Sequence, residues 1–537
     1  MAWEELIRRE LKIYAMAPII RSIWYSQIEK GSPFYRKLLL YIKDNNGYYY
    51  ENFDDHHTVG EWLIKRILED EKFWEHHIET WNKMFNDFNA AAEKLKKTDI
   101  EKLGDKELVE LHAKFLDSLM RWHGYAYAVD AIDAVLNEKI RHEIKAALTA
   151  KFGSEKVKDS VVNRYYSELT TAKELTYINR EQILLLKAVS LILRDKDLTR
   201  LFSKESVAAA KALEHAKSAA DQKDQKQKIH EINKLFDEIL EKYYWSGFTW
   251  DVSEMKTLLD LVKAVKDILK EKTNLNEIEA LRKKIENHSK NVSDLKEKII
   301  SELKLDLRFR KYIEIFEAYA VFHDLRKEGQ VKGTYYSYCI LREYCHRLDL
   351  NFELARNALP EEIQECMLLS GVKRALKAKE YAEVMRRRKD EVLFVITHDD
   401  LQEVYGKDAL SIRDKETRIN VEKNLSEFQG LAANPGRVRG IARVCLGADE
   451  ANRNIKEGDI LVTGMTMPEY APAMRKAAAI ITDEGGLTCH AAIISRELGK
   501  PCIVGTKIGT RILKDGAAIE VNANHGIVKI LEQTHNV

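Results

Sequence analysis

Apolar side chains recur at three- and four-residue steps along most of the first three quarters of the chain. Phe309 and Ile313 begin one such series, and Gly329 ends it. This period places one apolar stripe along an α-helix, and glycine is a common helix stop. No proline occurs between residues 34 and 359, so long helices can run there without a break. We therefore predict a large all-α region over residues 1–390.

After residue 390 the pattern changes from helical to strand-like. The segment 392–401, VLFVITHDDL, has the β-branched and aromatic composition of a strand, and the charged segment 412–429 is typical of a connector. Further on, short β-type runs alternate with glycine, asparagine and proline, and one helical segment lies between two of them. We predict a strand-containing connector over residues 391–427 and a compact α/β domain over residues 428–537.

The composition limits the classes of partner and compartment. The 537 residues carry a formal net charge of +1, so neither a nucleic-acid nor an anionic-membrane partner is expected. No run reaches the roughly eighteen uninterrupted apolar residues of a membrane span. The first residues, MAWEELIRRELK, lack the apolar core of a signal peptide. The six cysteines are irregularly spaced, which favours reduced thiols and a cytoplasmic location.

The helical segment of the last domain begins at a histidine. Residues 485–505 read GGLTCHAAIISRELGKPCIVG, with His490 in the first helical turn and Thr488 as the candidate N-cap. Gly485 and Gly486 allow a tight turn with no side chain over the site. The unpaired N–H groups of a first turn attract an anion, and a neutral imidazole is a nucleophile near pH 7. The pattern predicts a phosphoryl-carrying His490; the alternative is a structural histidine that makes one capping hydrogen bond.

The neighbours of His490 agree with a known family over about a hundred residues. The sequence resembles the mobile phosphohistidine domain of phosphoenolpyruvate (PEP)-utilising enzymes, especially PEP synthase and pyruvate phosphate dikinase. The resemblance covers roughly residues 428–532, and Asn434 stands where the family usually has a small residue such as serine. The family motif stands here as Gly485, Gly486, Thr488, Cys489, His490, Ala491, Ala492, Ile493, Arg496, Glu497, Gly499 and Pro501. The preceding segment agrees at Asp459, Thr463, Thr466, Pro468 and Asp483.

The resemblance implies a role for several of these residues. His490 would be the phosphorylated carrier of a swivelling β/β/α domain, with no metal ion bound to the chain. Thr488 would also be a candidate site of regulatory phosphorylation. The implied phosphate-binding residues are Gly485, Gly486, Thr488 and Cys489, and the implied supporting residues are Asp483, Arg496 and Glu497.

Two parts of the full synthases have no recognisable counterpart in this sequence. Those enzymes carry an ATP-grasp module and a C-terminal barrel for pyruvate or PEP. The front of this sequence has no glycine-rich phosphate loop, and the sequence ends at Val537, soon after the histidine domain. The layout is similar to the substrate-binding and histidine parts of rifampicin phosphotransferase, and to the histidine subunit of phenylphosphate synthase.

These resemblances imply a divided phosphotransferase. We expect an ATP-grasp protein in trans to supply ATP and Mg²⁺, and His490 to pass the phosphoryl group to a small-molecule acceptor in the helical region. The alternative is a non-catalytic phosphocarrier or regulatory protein whose helical region binds a protein partner.

The helical region itself offers weaker candidates. His123 is a candidate acceptor-side base, although a satisfied core histidine is the commoner explanation. Arg386, Arg387 and Arg388 either clamp a phosphate or form a solvated helix end. Aromatic clusters either line an acceptor pocket or pack in the core, and they occupy residues 22–27, 46–53, 120–130 and 241–251. The spacing of a metal site is lacking in the groups His56–His57, His76–His77 and Cys339–Cys345–His346.

Overall fold

The chain folds into two compact units. The first comprises residues 1–171, 299–316 and 339–537, and the second comprises residues 172–298 and 317–338. The structure, a computed structural model, describes residues 3–10, 12–43, 46–153, 157, 159–218, 223–246, 256–271, 274–397, 400–416, 425–466, 470–485, 489–506 and 508–532.

Helices make up most of the chain before residue 390, which confirms the predicted large helical region. Two short 3-10 turns, Ser22–Tyr25 and Ile100–Lys102, lie among them. The helices are α1 (Ile13–Arg21), α2 (Phe53–Glu69), α3 (Glu71–Lys97), α4 (Asp105–Phe152), α5 (Asp159–Thr170), α6 (Tyr177–Leu193), α7 (Lys196–Ser203), α8 (Ser206–Ser218), α9 (Lys223–Lys242), α10 (Leu258–Glu271), α11 (Leu275–Glu286), α12 (His288–Leu303), α13 (Leu307–Leu348), α14 (Phe352–Ala355), α15 (Pro360–Leu368), α16 (Gly371–Asp390) and α17 (Gly406–Glu416).

The helix that contains Phe309 is longer than its pattern predicts. Gly329 does not end it, because α13 continues for almost twenty residues further, to Leu348. A glycine inside a helix costs only about 1 kcal/mol relative to alanine, and buried positions resume beyond it at Gly333 and Thr334. The helix ends instead at Asp349, which adopts the left-handed conformation with φ of 51°.

The expectation of an all-α region over residues 1–390 needs one correction. Three strands lie within the first 52 residues and join two later strands in an antiparallel sheet of order β1-β3-β2-β4-β5. A short apolar run such as LLLYI in β2 is buried at every position, and its pattern does not separate a strand from a buried helical turn. The strands are β1 (Trp3–Glu10), β2 (Lys37–Lys43), β3 (Asn46–Asn52), β4 (Glu391–Thr397) and β5 (Leu401–Val404).

The predicted connector contributes to this first sheet. The strand predicted within residues 392–401 is β4, and it pairs with β2 along its whole length, from Lys37 opposite Thr397 to Lys43 opposite Glu391. Helix α17 packs against β4. The boundaries at residues 390 and 427 stay predictions, while the pairing ties the connector's first half to the start of the chain.

The last hundred residues form the predicted α/β domain around an eight-stranded mixed sheet. Its order is β6-β13-β12-β8-β9-β10-β11-β7, and β8 to β11 are parallel. The strands are β6 (Glu427–Gln429), β7 (Leu431–Asn434), β8 (Arg437–Val444), β9 (Ile460–Thr463), β10 (Ala479–Thr482), β11 (Cys502–Val504), β12 (Ala518–Asn522) and β13 (Ile527–Glu532). The helices are α18 (Ala448–Asn454), α19 (Ala471–Lys476), α20 (His490–Glu497) and α21 (Gly509–Ile512).

The parallel strands explain where a site forms in this domain. Every residue of β9, β10 and β11 is buried, as expected of parallel strands covered on both faces. Their carboxyl ends meet at one edge of the sheet, and the loops that follow them are the usual place for a ligand in an open α/β sheet. The loops after β9 and β10 lead to Thr466 and to His490.

No helix among the described residues is both long enough and apolar enough to cross a lipid bilayer.

Candidate functional site

His490 is the first residue of α20. The N-cap is Cys489, whose backbone is extended (φ −71°, ψ 165°), and no side chain in the described part of the chain caps the helix. The predicted N-cap, Thr488, therefore lies one residue too early. Thr488 and Gly486 lie outside the described residues, so their predicted roles in phosphate binding and regulation stay predictions. A first turn without a side-chain cap leaves N–H groups available to an anion.

A hydrogen bond to Thr466 orients the His490 imidazole. Its Nδ1 lies 2.9 Å from the hydroxyl oxygen of Thr466, which is itself buried. The ring is partly buried, and this burial lowers the pKa of His490 to about 4. The ring is therefore neutral at pH 7. When Nδ1–H donates to Thr466, the lone pair is on Nε2, which is then the nucleophilic atom.

Gly485 shapes the loop that leads to this helix. Its φ of +103° is a conformation that favours glycine, and a Cβ added there would lie 2.7 Å from Cys489 Sγ. The loop and the N-cap residue therefore pack closely only because position 485 has no side chain. A phosphate-binding role for Gly485 and Cys489 stays a prediction.

Asp483, predicted as a supporting residue, anchors the start of the same loop. Its carboxylate accepts hydrogen bonds from the Thr506 hydroxyl at 2.8 Å, from the Thr510 amide at 3.1 Å and from the Thr510 hydroxyl. Asp483 thus ties the end of β10 to the first turn of α21. A Cβ at Gly509 would lie 2.9 Å from the carboxylate, so the contact requires glycine there.

The far end of α20 is fixed by a residue that departs from the family pattern. Asn434 donates from Nδ2 to the carbonyl oxygens of Lys500, at 2.8 Å, and Ser495, at 3.3 Å. Its amide thereby bridges the last turn of the helix and the segment after it, where the Lys500 amide also donates to the Ser495 carbonyl at 2.9 Å. Arg496, predicted as supporting, is exposed and donates from Nε to the Ala492 carbonyl at 2.9 Å. Glu497 ends the helix, and its side chain lies outside the described residues.

Comparison with known proteins agrees with this geometry. Residues 455–526 match the family described as "PEP-utilising enzyme, mobile domain". The C-terminal domain belongs to this family. Over 101 residues the mobile domain is 54% identical to a probable PEP synthase of Archaeoglobus fulgidus and 55% identical to the PEP synthase of Pyrococcus furiosus. Over 114 residues the chain is 46% identical to a probable PEP synthase of Methanothermobacter thermautotrophicus.

These similarities concern one part of each protein. The matched segments cover 19–21% of this chain and 12–16% of the three relatives. They lie in the C-terminal part of the chain.

The contact between Thr466 and His490 is not predicted by the sequence. Thr466 is one of the residues that agree with the family, but 24 positions separate it from His490 and no local spacing links the two. The contact arises because β9 and β10 are adjacent parallel strands whose loops leave the same edge. A threonine after one strand and a histidine after the next is the signal that would have suggested it.

The surroundings of His123 in the helical region fit the core-histidine alternative. A Cβ at Gly124 would lie 2.2 Å from the Ser22 carbonyl oxygen, so α4 approaches the turn at Ser22 very closely. His123 is 3% exposed, and its Nδ1 lies 2.8 Å from Ser22 Oγ. Its role as an acceptor-side base stays untested.

The aromatic clusters also surround buried polar groups. Tyr35 and Tyr49 bond a carboxylate–imidazole pair formed by Glu51 and His56: Tyr35 OH lies 3.0 Å from His56 Nδ1, and Tyr49 OH donates to Glu51. All four side chains are at least nine-tenths buried. Most of the described aromatic side chains of the second cluster and all of those in the third are buried in the core, whereas Trp24 and Tyr25 of the first cluster are only partly buried. Residues 247–251 of the fourth cluster lie outside the described part.

The three arginines at the end of α16 have protein partners. Arg388 is 1% exposed and bonds the carboxylates of Glu362 and Glu403. These carboxylates raise the pKa of Arg388 although burial opposes the charge. Arg387 stacks on an aromatic ring and Arg386 pairs with a glutamate. Arg388 is therefore a structural residue and not a phosphate clamp.

A groove of about 500 Å³ lies in the second unit, between α6, α9 and α11. Its four cationic and three anionic side chains nearly balance, so it has no marked preference for an anionic ligand. The lining residues are Lys187, Ser190, Leu191, Arg194, Glu231, Lys234, Leu235, Glu238, Glu279 and Arg282. Among the described residues, no group of three or more His, Cys, Asp or Glu side chains is placed to bind a metal ion.

Proposed function

We propose that this chain is the phosphohistidine component of a phosphotransferase of the PEP synthase and dikinase type. In this proposal His490 carries a phosphoryl group from an ATP-grasp partner to a small-molecule acceptor. The observation that carries it is the neutral imidazole at the start of α20, whose Nδ1 lies 2.9 Å from the Thr466 hydroxyl. With Nδ1–H bonded to Thr466, Nε2 would be the attacking atom. The membership of the mobile domain in the PEP-utilising family supports the same chemistry.

The transfer consists of two displacements at phosphorus. In the first, the Nε2 lone pair of His490 forms an N–P bond while the P–O bond to the nucleotide breaks, and the bridging oxygen leaves with the nucleotide and keeps the electron pair. In the second, an acceptor oxygen forms a P–O bond while the N–P bond breaks and the acceptor's proton passes to a base. Thr466 accepts the Nδ1–H bond in both steps, so the ring returns to its neutral starting tautomer.

The first turn of α20 stabilises the transferred group. A phosphoryl group on His490 adds negative charge at the positive end of the helix dipole, where N–H groups lack a side-chain cap in the described part. The Asp483 carboxylate accepts hydrogen bonds from Thr506 and Thr510, which hold it at the start of the loop.

ATP and Mg²⁺ belong, in this proposal, to the partner. The sequence before the mobile domain has no glycine-rich phosphate loop, and Mg²⁺ usually reaches such reactions with the nucleotide phosphates. The mobile domain would move between the partner and the acceptor on the connector within residues 391–427. A cytoplasmic location fits the six cysteines, none of which forms a disulfide.

The experiment is a labelling reaction with the full chain. ATP labelled at the β- or γ-phosphate is incubated with the chain, with and without the cognate ATP-grasp protein. We expect acid-labile, base-stable label that requires the partner and that is absent from His490→Ala. Transfer of this label to a small molecule supports the enzyme, whereas a stable phosphoprotein without an acceptor supports the phosphocarrier alternative. Acid-stable label, or label retained by His490→Ala, overturns the assignment.

A further inference from the structure

Three large apolar side chains face the solvent where α15 meets α16. Val372, Leu376 and Leu368 are 75%, 64% and 58% exposed, and among the described large apolar side chains only Leu307 is more exposed. We call Leu368, Val372 and Leu376 the apolar patch. Exposed apolar side chains that occur singly need no explanation, but three within nine residues mark a candidate interaction surface.

Lysines lie next to the apolar patch on the same side of α16. Val372 and Leu376 are one turn apart on α16, so they lie on the same side of the helix. Lys379 follows them along that side, at three residues from Leu376, and Lys373 flanks it. All four residues are exposed.

Some of the charged side chains around the apolar patch form ion pairs and others do not. Lys377 forms ion pairs with two nearby carboxylates: its Nζ lies 3.8 Å from a carboxylate oxygen of Glu365 and 3.1 Å from one of Glu380. Lys373 and Lys379 have no ion-pair or hydrogen-bond partner among the residues that the structure describes. The charge that remains available beside the patch is therefore positive.

We infer that this face of α16 binds an acidic amphipathic segment of a partner protein. The segment's apolar side chains would cover Val372 and Leu376, and its carboxylates would pair with Lys373 and Lys379. The inference does not rest on the chemistry at His490.

Two other occupants fit the charges less well. In an antiparallel pair of α16 helices centred on Leu376, Lys373 of one copy would face Lys379 of the other, which opposes self-association. An anionic membrane is recognised by clusters of about four to eight basic residues. Among the described residues, this face offers two lysines that are not in ion pairs, Lys373 and Lys379, and they lie close to the acidic Glu380.

The test uses the full chain and a synthetic helical peptide that carries leucines on one face and glutamates beside them. A second peptide has every glutamate replaced by lysine. Binding is measured by calorimetry for the wild type, for Leu376→Gln and for Lys373→Glu/Lys379→Glu. Leu307→Gln and Lys407→Glu serve as matched controls, because Leu307 is 82% exposed and Lys407 is exposed, and both lie outside the patch.

We expect the wild type to bind the acidic peptide and not the basic one. Leu376→Gln and the double charge reversal should each weaken binding about tenfold or more, the reversal should gain affinity for the basic peptide, and the controls should be unchanged. Equal affinity for both peptides overturns the inference. So does a wild-type dimer in sedimentation that Leu376→Gln dissociates, or Leu376-dependent binding to vesicles of phosphatidylserine. Labelling of His490, measured on the same variants, should be unaffected.

Discussion

The hydrogen bond between Thr466 and His490 gives the most direct test of the proposed mechanism. Replacing Thr466 by valine removes the hydroxyl and keeps nearly the same shape. As Nε2 attacks phosphorus, positive charge develops on the ring and strengthens the Nδ1–H bond to Thr466. A hydrogen bond to a charged group contributes about 1.5–3 kcal/mol, which corresponds to a rate decrease of about ten- to 150-fold.

The assay is the rate of acid-labile labelling of the full chain by its ATP-grasp partner. Thr482→Val is the matched control, because Thr482 is buried at the same sheet edge and its hydroxyl donates to the Glu484 carbonyl at 2.6 Å, not to His490. Thermal unfolding of both variants separates lost stability from lost positioning. If Thr466→Val keeps both the wild-type rate and the wild-type unfolding midpoint, the hydrogen bond has no role in the transfer.

Four further predictions concern protonation and stability. His490 has a pKa of about 4 in the folded chain, so its rate of reaction with diethyl pyrocarbonate should stay constant as the pH falls to 5.5 and should halve near pH 4. The His490→Ala variant gives the background rate. A rate that halves near pH 6.5 would contradict the prediction. Because the unfolded chain takes up this proton first, near 6.5, the same group should lower the free energy of unfolding as pH falls from 6.5 to 4. Asp483→Asn should lower the free energy of unfolding by about 1–3 kcal/mol, since the amide replaces a carboxylate that accepts several bonds; urea unfolding measures it, and an unchanged midpoint would exclude the anchoring role. Arg388→Met should lower the free energy of unfolding by about 3–5 kcal/mol, because Glu362 and Glu403 lose their counter-ion. The triple variant that also carries Glu362→Gln and Glu403→Gln should recover much of that loss. An Arg388→Met variant as stable as the wild type would refute the buried pairing.

The mobile domain was the part of the fold most readily predicted from sequence. Its strands are short apolar runs bounded by glycine and proline, and the spacing around His490 agrees with a family over about a hundred residues. Local detail was less certain: the helix begins after Cys489 rather than after Thr488, because either residue can precede a first turn and sequence does not report the backbone angles.

Contacts between distant segments could not be predicted in this way. Thr466 reaches His490 only because two strands become neighbours in the sheet. Arg388 reads as the end of a basic, solvated helix, yet Glu362 and Glu403 lie 26 and 15 residues away and enclose it. The N-terminal strands were missed because β2 is short and buried at every central position, so it lacks the alternation that marks a strand.

The pairing of β2 with β4 has a consequence for how such a chain is assembled. Residues 391–397 pair with residues 37–43, near the start of the chain, and so complete the first sheet. The second sheet begins only afterwards, at residue 427. The C-terminal domain is thus joined to the first sheet through the segment between Glu416 and Glu427. One splice within that segment would transplant the domain onto a different protein without cutting a strand from either sheet.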